Sequence, residues 1–158
     1  MKPVEVPAMH AQILLPGAQF ADAYALILPG QGLDAMMAAE RAFGASPGWI
    51  RGLLRLRNIL VAPFGLKAGK LEITTSPTTI GIFPVLEQSK GQIVMGLNDR
   101  HLDFRLRVDV NAVGADQQSV TATTAVKTHN LLGRAYLTTI LPFHRIIVRA
   151  MLAQIARA

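Results

Sequence analysis

The fold of this chain is decided by the stretch Asp99-Arg100-His101-Leu102-Asp103-Phe104-Arg105-Leu106-Arg107-Val108-Asp109-Val110. From Leu102 onward every even position is apolar, and every odd position from Asp99 to Asp109 is charged or histidine. A period of two is typical of a β-strand that buries one of its faces. We therefore expect the even-numbered side chains to face a core and the odd-numbered ionic groups to lie on the other side of a sheet.

Further strands are predicted on both sides of this stretch. In the second half of the chain, apolar segments separated by turn residues predict four strands, over Ile80–Gln88, Gln92–Leu97, Arg100–Val113 and Ser119–His129. Their short connections imply antiparallel neighbours. Nearer the amino terminus, Met9–Leu15 predicts a short strand that ends at Pro16-Gly17. The alternation around Ala21, Ala23 and Ala25 favours another strand over Phe20–Leu28.

Two short helices are predicted between these groups of strands. Asp34 is a favourable N-cap for a helix that ends at Gly44. Ser46-Pro47 then provides an N-cap and a first-turn proline for a second helix, which runs to about Leu60. The next segment, Gly65–Pro77, is rich in Gly, Lys and Thr and predicts a loop.

The segment Leu131–Ala158 predicts one long amphipathic helix. Its apolar residues recur at three- and four-residue spacing and form one stripe, made of Leu132, Tyr136, Ile140, Phe143, Ile147 and Met151. Arg134, Arg145 and Arg149 fall on the opposite side. Pro142 is expected to kink or split this helix, because it removes a backbone donor and clashes with the preceding turn. An antiparallel sheet wrapped around such a helix leaves a cavity between them.

Composition predicts one soluble domain that spans residues 1–158. Of the 158 residues, 51% are hydrophobic and 16% charged, a balance that excludes disorder. The mean hydropathy of +0.33 indicates a large core, or apolar surface left for a ligand or partner. The sequence has no cysteine, so disulfides, thiol nucleophiles and cysteine metal sites are excluded. A cytoplasmic location is expected.

The basic charge predicts no particular partner. The net charge of +6 is not gathered into a run with interleaved aromatic residues, so we expect no nucleic-acid partner. Met1–Pro7 lacks the apolar stretch of a signal peptide. Pro29, Pro63 and Pro142, or arginines, interrupt the longest apolar runs before they reach the roughly 20 residues of a membrane span. We therefore expect no integral membrane association.

A series of short motifs runs along nearly the whole chain. They are Leu15-Pro16-Gly17-Ala18 with Asp22-Ala23, Trp49 with Leu56-Arg57-Asn58, Gly65-Leu66-Lys67, Phe83-Pro84-Val85, Asp99-Arg100-His101-Leu102-Asp103-Phe104-Arg105, His129-Asn130, Gly133-Arg134, Tyr136 and Pro142-Phe143-His144-Arg145. These motifs are similar to those of an uncharacterised family, the domain of unknown function number 2867.

The order of the predicted elements also resembles the helix-grip fold of the START-like, or polyketide-cyclase-like (SRPBCC), superfamily. Members of that superfamily hold hydrophobic ligands between the sheet and the C-terminal helix. The resemblance implies an α+β helix-grip fold, with an antiparallel sheet wrapped around a long C-terminal helix and two short helices inserted after the first strand. The fold is sometimes fused behind a nicotinamide-nucleotide-binding domain, but this chain has no GxGxxG motif, so no cofactor is inferred.

The odd-numbered residues from Asp99 to Asp109, which we call the ionic row, allow two interpretations. Asp99, His101 and Asp103 on one strand face would let a histidine flanked by carboxylates act as a general base. The alternative, which we favour, is a lattice of cross-strand ion pairs on the solvent face, because the intervening apolar residues must occupy the core face. A metal site made of His101, Asp103 and His129 would suit iron or zinc. No ligand pair has a diagnostic spacing, so no metal is predicted.

The candidate ligand-binding residues are those expected around the cavity. Arg100 has the parity of the inward face, Tyr136 lies near the centre of the helical stripe, and His144 borders that stripe. A few such polar groups orient a ligand in an apolar pocket. The alternative is a core tyrosine and a half-buried histidine that are satisfied by local hydrogen bonds. The expected apolar lining is Leu102, Phe104, Leu106 and Phe143.

Three functions are compatible with these patterns. The leading hypothesis is a protein that binds a small hydrophobic ligand in a cavity between the sheet and the last helix. The second is a cyclase- or dehydratase-like lyase that acts on a hydrophobic carbonyl substrate through Tyr136 and His144, or Arg100. The third is a homodimeric interaction module. No GxSxG motif indicates a serine hydrolase, and the patterns do not decide whether the protein is an enzyme.

Overall fold

The computed structural model describes residues 1–30, 32–64 and 78–158, and its central element is an antiparallel sheet. In these residues the sheet has seven strands: β1 (Val4–Val6), β2 (Phe20–Pro29), β3 (Thr79–Ile80), β4 (Phe83–Gln88), β5 (Gln92–Asn98), β6 (Leu102–Ala112) and β7 (Gln117–Thr128). Their order across the sheet is β1-β2-β7-β6-β5-β4-β3, and every neighbouring pair is antiparallel. Short turns join β4 to β7 in succession, as the sequence predicts.

Helices accompany the sheet. The described residues form α1 (Ala11–Leu14), α2 (Ala35–Phe43), α3 (Gly48–Val61) and α4 (Leu131–Ile155), with a 3-10 turn over Ala62–Phe64. Oδ1 of Asp34 accepts a hydrogen bond from the backbone N–H of Met37 at 2.8 Å, which confirms the predicted cap of α2. The last helix begins in the same way, because Oδ1 of Asn130 accepts a hydrogen bond from the N–H of Gly133 at 2.9 Å.

Some predicted elements are wrong in detail. Met9–Leu15 contains the helix α1 instead of a strand, because a four-residue helix is too short to show a helical period in the sequence. The strand predicted over Ile80–Gln88 is divided into β3 and β4 by a turn at Gly81-Ile82. Of the two effects predicted for Pro142, only the split is wrong, because α4 is continuous from Leu131 to Ile155. The loop predicted over Gly65–Pro77 lies outside the described residues.

Strand register arranges the inward-facing side chains in rows across β2, β7, β6 and β5. The polar row is Asp22, Thr124, Leu106 and Met95, and the neighbouring aromatic row is Phe20, Val126, Phe104 and Leu97. The even positions of β6 face inward, as the alternation predicts. Leu106 and Val108 are buried, whereas Leu102 and Phe104, at the beginning of the strand, are only half-buried.

The core is covered by α2 and by the second half of α4. Four fully buried alanines line α2, and small side chains of this kind let the helix approach the sheet closely: Ala35, Ala38, Ala39 and Ala42. The buried residues of the second half of α4 are Val148, Met151, Leu152 and Ile155. In contrast, the first half of α4 buries only Gly133. A sheet covered in this way by short helices and a long C-terminal helix has an α+β helix-grip-like fold.

The outward face of the sheet carries the ionic row. Arg107 pairs with Asp109 of the same strand at 2.8 Å, and Nε2 of His129 lies 3.0 Å from Oδ1 of Asp103 across the β6–β7 pair. Arg105 donates hydrogen bonds to main-chain carbonyl oxygens and to an asparagine side chain at the end of β5. The row therefore lies on the side that the alternation predicts, and Arg105 crosses from β6 to β5 through its hydrogen bonds to Leu97 and Asn98. The Arg107–Asp109 ion pair stays within β6, whereas Asp103 of β6 contacts His129, which directly follows β7.

Candidate functional site

A carboxylate and an imidazole meet between the sheet and α4. Nε2 of His144 lies 3.1 Å from Oδ1 of Asp22, which faces inward in the polar row. The side chain of Asp22 is 6% exposed and that of His144 is 17% exposed, so both groups are largely removed from water. A buried carboxylate needs such a partner, because an unpaired charge is strongly disfavoured away from water. We refer to these two residues as the polar pair.

The second oxygen of the same carboxylate has no hydrogen-bond partner among the residues that the structure describes. Oδ2 of Asp22 and Oγ1 of Thr124 are both buried, and neither forms a hydrogen bond within the described residues. Thr124 lies directly opposite Asp22 in the register of β2 and β7, so their Cβ atoms are roughly 5 Å apart on the inward face. Buried polar atoms nearly always have hydrogen-bond partners. Two neighbouring unsatisfied oxygens are therefore a feature that folding stability does not explain.

An incompletely covered apolar surface adjoins the polar pair. Phe20 packs edge-on against the ring of His144, with the ring centroids 5.9 Å apart. Phe104 stacks on Phe83 of β4, with centroids 5.4 Å apart. These three phenylalanines are only half-buried, and the first half of α4 itself buries only Gly133. The aromatic row thus leaves apolar surface accessible beside the buried oxygens.

The beginning of α4 is held close to the beginning of β6. A Cβ atom at Gly133 would collide with the carbonyl oxygen of His101, so only glycine permits this approach. Nδ2 of Asn130 also lies 2.9 Å from Nδ1 of His101. From this point the helix rises about 1.5 Å per residue, and it reaches Asp22 on β2 at His144. The close contact at one end therefore helps to set where the imidazole arrives.

A buried tyrosine lies beside the polar pair. Tyr24 follows Asp22 on the inward face of β2 and is 2% exposed. Burial raises the pKa of its phenol above the ordinary value of 10.0, and the negative charges of Asp22 and Glu5 raise it further. Arg145 and Arg149 of α4 act in the opposite direction. The phenol therefore keeps its proton at neutral pH.

Several of the predicted ligand-binding residues lie near one another. His144 belongs to the polar pair, Leu106 lies next to Thr124 in the polar row, and Phe104 lies in the aromatic row. Leu102 is half-buried at the beginning of β6. Tyr136 is half-buried on the first half of α4.

Arg100 and Phe143 lie elsewhere. Arg100 precedes β6 in the turn after β5 and its side chain is exposed, so the prediction that strand parity directs it inward is wrong. Phe143 is 48% exposed. It lies about 80° around the helix from the buried Met151, at the border of the face that meets the core.

The three residues considered for a metal site do not converge. Asp103 pairs with His129, whereas His101 contacts Asn130. Within residues 1–30, 32–64 and 78–158, no group of three or more histidine, aspartate or glutamate side chains is arranged to hold a metal ion.

A separate groove lies at the other end of α4. It has a volume of about 430 Å³, and its lining includes Leu28, Leu33, Gln118 and Ile155. Ile155 lies about 16 Å along the helix axis from His144, so this groove is distinct from the polar pair. The buried side-chain oxygens without partners in the described residues both belong to the polar row. The polar row is therefore the stronger candidate site.

Asp22 and Thr124 are functional candidates that are absent from the predicted ligand-binding residues, although Asp22 belongs to one of the family motifs. A signal for Asp22 exists, since it is a carboxylate on the strand face that also carries Phe20 and Tyr24. Its partner His144 lies 122 residues further along the chain, and no local pattern connects the two. Threonine is common in strands, so Thr124 carries no comparable signal.

The fold and the site define a helix-grip-like α+β protein with a buried polar pair under its last helix. No curated protein matches the chain, and no solved structure matches it. The chain belongs to the family described as "Protein of unknown function (DUF2867)", whose model matches residues 14–151 and so includes the polar pair. Among the described helices, none combines the length and the hydropathy that a membrane-spanning segment requires.

Proposed function

We propose that this protein binds a small, largely apolar ligand between the sheet and the first half of α4. The observation that carries the proposal is the pair of buried, unsatisfied oxygens of Asp22 and Thr124 beside a half-covered aromatic row. Ligand pockets combine an apolar lining with a few polar groups that fix orientation. Here the two unsatisfied oxygens supply the polar groups, and the half-covered aromatic row beside them supplies the apolar lining.

The chemistry of the two oxygens restricts the polar end of the ligand. An ionised Asp22 only accepts hydrogen bonds, whereas the hydroxyl of Thr124 donates and accepts them. A neutral group that has both a donor and an acceptor, such as a hydroxyl or an amide, would satisfy both. A carboxylate would be repelled by Asp22 at this distance. The apolar body of the ligand would then lie against Phe20 and Phe104.

Native mass spectrometry of the purified protein is the most direct test. We expect a retained neutral small molecule at one copy per chain, and saturable binding of an environment-sensitive apolar dye that this molecule displaces. A protein with no bound molecule and no saturable dye site would contradict the proposal.

Two threonine variants test whether the hydroxyl of Thr124 contacts the ligand. Thr124→Val removes the hydroxyl while keeping the shape of the side chain. A lost neutral hydrogen bond corresponds to about 3- to 10-fold weaker binding. Thr123→Val is the matched control, since it makes the same change at the next residue of β7 on the outward face. Equal binding by the two variants would exclude Thr124 as a ligand contact.

A second candidate function is proton transfer on a hydrophobic carbonyl compound. The observation that favours it is the contact of His144 with Asp22, because a carboxylate orients an imidazole and stabilises its protonated form. The imidazole also lies against Phe20, at the edge of the half-covered surface. A bound substrate in that position would meet a histidine whose orientation is already set.

A screen of hydrophobic carbonyl compounds tests this candidate. Proton transfer by a positioned side chain contributes about 10²- to 10⁴-fold, so His144→Gln should lower kcat by at least about 100-fold while the protein stays folded. His129→Gln is the control, because it disrupts the other histidine–aspartate contact, on the outward face. Activity that survives His144→Gln would remove the assigned role.

A further inference from the structure

The helices present apolar and cationic side chains together on the side of the molecule that faces away from the sheet. Neither α3 nor α4 contains an aspartate or a glutamate. Ile50 of α3 and Met151 of α4 belong to one core on the inward face of the sheet, so both helices cover the same face. Their exposed sides therefore lie away from this core. We refer to these exposed sides together as the helical surface.

In α3 the residue that points away from the core is a large apolar one. Ile59 follows the buried Ile50 by nine residues, which is two and a half helical turns, and it is 70% exposed. Trp49 and Leu56 lie on the same exposed side of the helix, and each has about half of its surface accessible. The outermost part of α3 is thus an apolar ridge.

The same arrangement occurs in α4. Ile146 precedes the buried Ile155 by nine residues, so it too points directly away from the core, and it is 58% exposed. The exposed Phe143 lies one turn earlier. Two helices therefore repeat one pattern, in which an apolar side chain stands opposite the buried face.

Arginines lie beside both ridges. Arg51 and Arg55 are exposed on α3, and Arg134, Arg145 and Arg149 are exposed on α4. A helix with tryptophan or aliphatic residues outermost and arginines at the sides suits the interface of a membrane that carries negative lipids. The outward face of the sheet differs, because its arginines are mixed with aspartates.

We propose that the helical surface docks on an anionic lipid bilayer, with Trp49, Ile59 and Ile146 entering the headgroup region. The arginines would contact the lipid phosphates, and the protein would lie on the membrane without crossing it. Charge complementarity supports this partner, because α3 and α4 carry exposed arginines and no aspartate or glutamate. A nucleic acid fits less well, since its backbone is contacted by cationic and hydrogen-bonding tips, whereas the outermost side chains here are aliphatic.

The chain supplies its own reporter, because Trp49 is the only tryptophan. The protein is mixed with phosphatidylcholine vesicles that contain phosphatidylglycerol, and separately with vesicles of phosphatidylcholine alone. We expect co-sedimentation and a blue shift of the Trp49 emission with the anionic vesicles only. Binding should weaken as salt is added, because salt screens exposed charges.

Paired variants separate the apolar and the cationic contributions. Arg55→Gln with Arg149→Gln should weaken partitioning on the order of 30-fold, from the attraction of each surface cation to anionic lipid. Ile59→Ser with Ile146→Ser should weaken it at least about 10-fold. All four side chains are exposed, and circular dichroism checks that folding is retained.

A charge-matched control uses lysines outside the helical surface. Lys90→Gln with Lys127→Gln removes the same charge, at the β4–β5 turn and from the outward face of the sheet, and should bind vesicles as the parent protein does. Four results would overturn the proposal: no binding to anionic vesicles, equal loss of binding in the control, Trp49 shielding in a lipid-free dimer seen by light scattering, or tighter binding to an oligonucleotide that the isoleucine variants leave unchanged.

Discussion

Nε2 of His144 and Oδ1 of Asp22 lie 3.1 Å apart although 122 residues separate them in the sequence. The contact joins the last helix to the second strand in a largely dehydrated setting. Phe20 packs against the same imidazole, so the ring is held from two directions. The other oxygen of Asp22 and the hydroxyl of Thr124 are buried beside it and form no hydrogen bond within the described residues.

The polar pair should be strongly coupled in its effect on stability. His144→Leu leaves a buried carboxylate without a partner and should lower the free energy of unfolding by roughly 3 kcal/mol. Asp22→Leu combined with His144→Leu removes both polar groups, and this double variant should be more stable than His144→Leu alone. Urea denaturation of the parent, both single variants and the double variant measures the coupling. Strictly additive effects would show that the contact contributes nothing.

Thr124→Val should stabilise the protein even as it weakens the proposed ligand binding. The hydroxyl is buried and has no hydrogen-bond partner within the described residues, and removing such a group stabilises a protein by about 1 kcal/mol or more. Thr123→Val should gain less, because its hydroxyl is not among the buried oxygens that lack partners. Thermal and urea unfolding of the ligand-free variants compares them. A loss of stability in Thr124→Val would mean that its hydroxyl is satisfied in the folded protein.

Glycine-to-alanine changes in two helices should have opposite effects on the free energy of unfolding. A Cβ at Gly133 would meet the carbonyl oxygen of His101, so Gly133→Ala should destabilise the protein by about 1–3 kcal/mol. A Cβ at Gly52, in α3, would meet nothing within 4 Å, so Gly52→Ala should stabilise it by about 0.5–1 kcal/mol through helix propensity. Changes of the same sign and size would show that the beginning of α4 is not closely packed.

Stability should fall in alkaline solution through Tyr24. Its pKa is raised in the folded state, chiefly by burial, so the unfolded chain releases this proton at a lower pH than the folded one. The contribution is fully present below about pH 10, the pKa of an unperturbed tyrosine. It is lost as the pH rises from there through the folded-state pKa.

Tyr24→Phe tests this dependence. Urea midpoints measured from neutral pH to above pH 10 should decline less steeply for Tyr24→Phe than for the parent. When the midpoints are converted to free energies of unfolding, the two proteins can differ in pH dependence by up to about 1.4 kcal/mol per pH unit for one group. Parallel curves would contradict the assignment.

Local patterns predicted much of the fold because their causes are local. The alternation from Leu102 to Val108 places those side chains on the inward face of β6, and Asp34 caps α2 with a hydrogen bond to a residue three positions later. The same logic failed where an element was short, as in α1, or where a strand began later than its pattern, as at Arg100. The candidate site was predicted only partly, since His144 was included and Asp22 was not.

The sequence by itself determined most of the strands, the cap of α2 and the face of β6 that turns inward, because backbone geometry converts residue spacing directly into side-chain direction. Only the tertiary structure decided that His144 meets Asp22, and that Thr124 shares a row with it. Those contacts depend on the order of strands in the sheet and on where the last helix crosses it. Both are set by packing between segments more than one hundred residues apart, which no period in the sequence records.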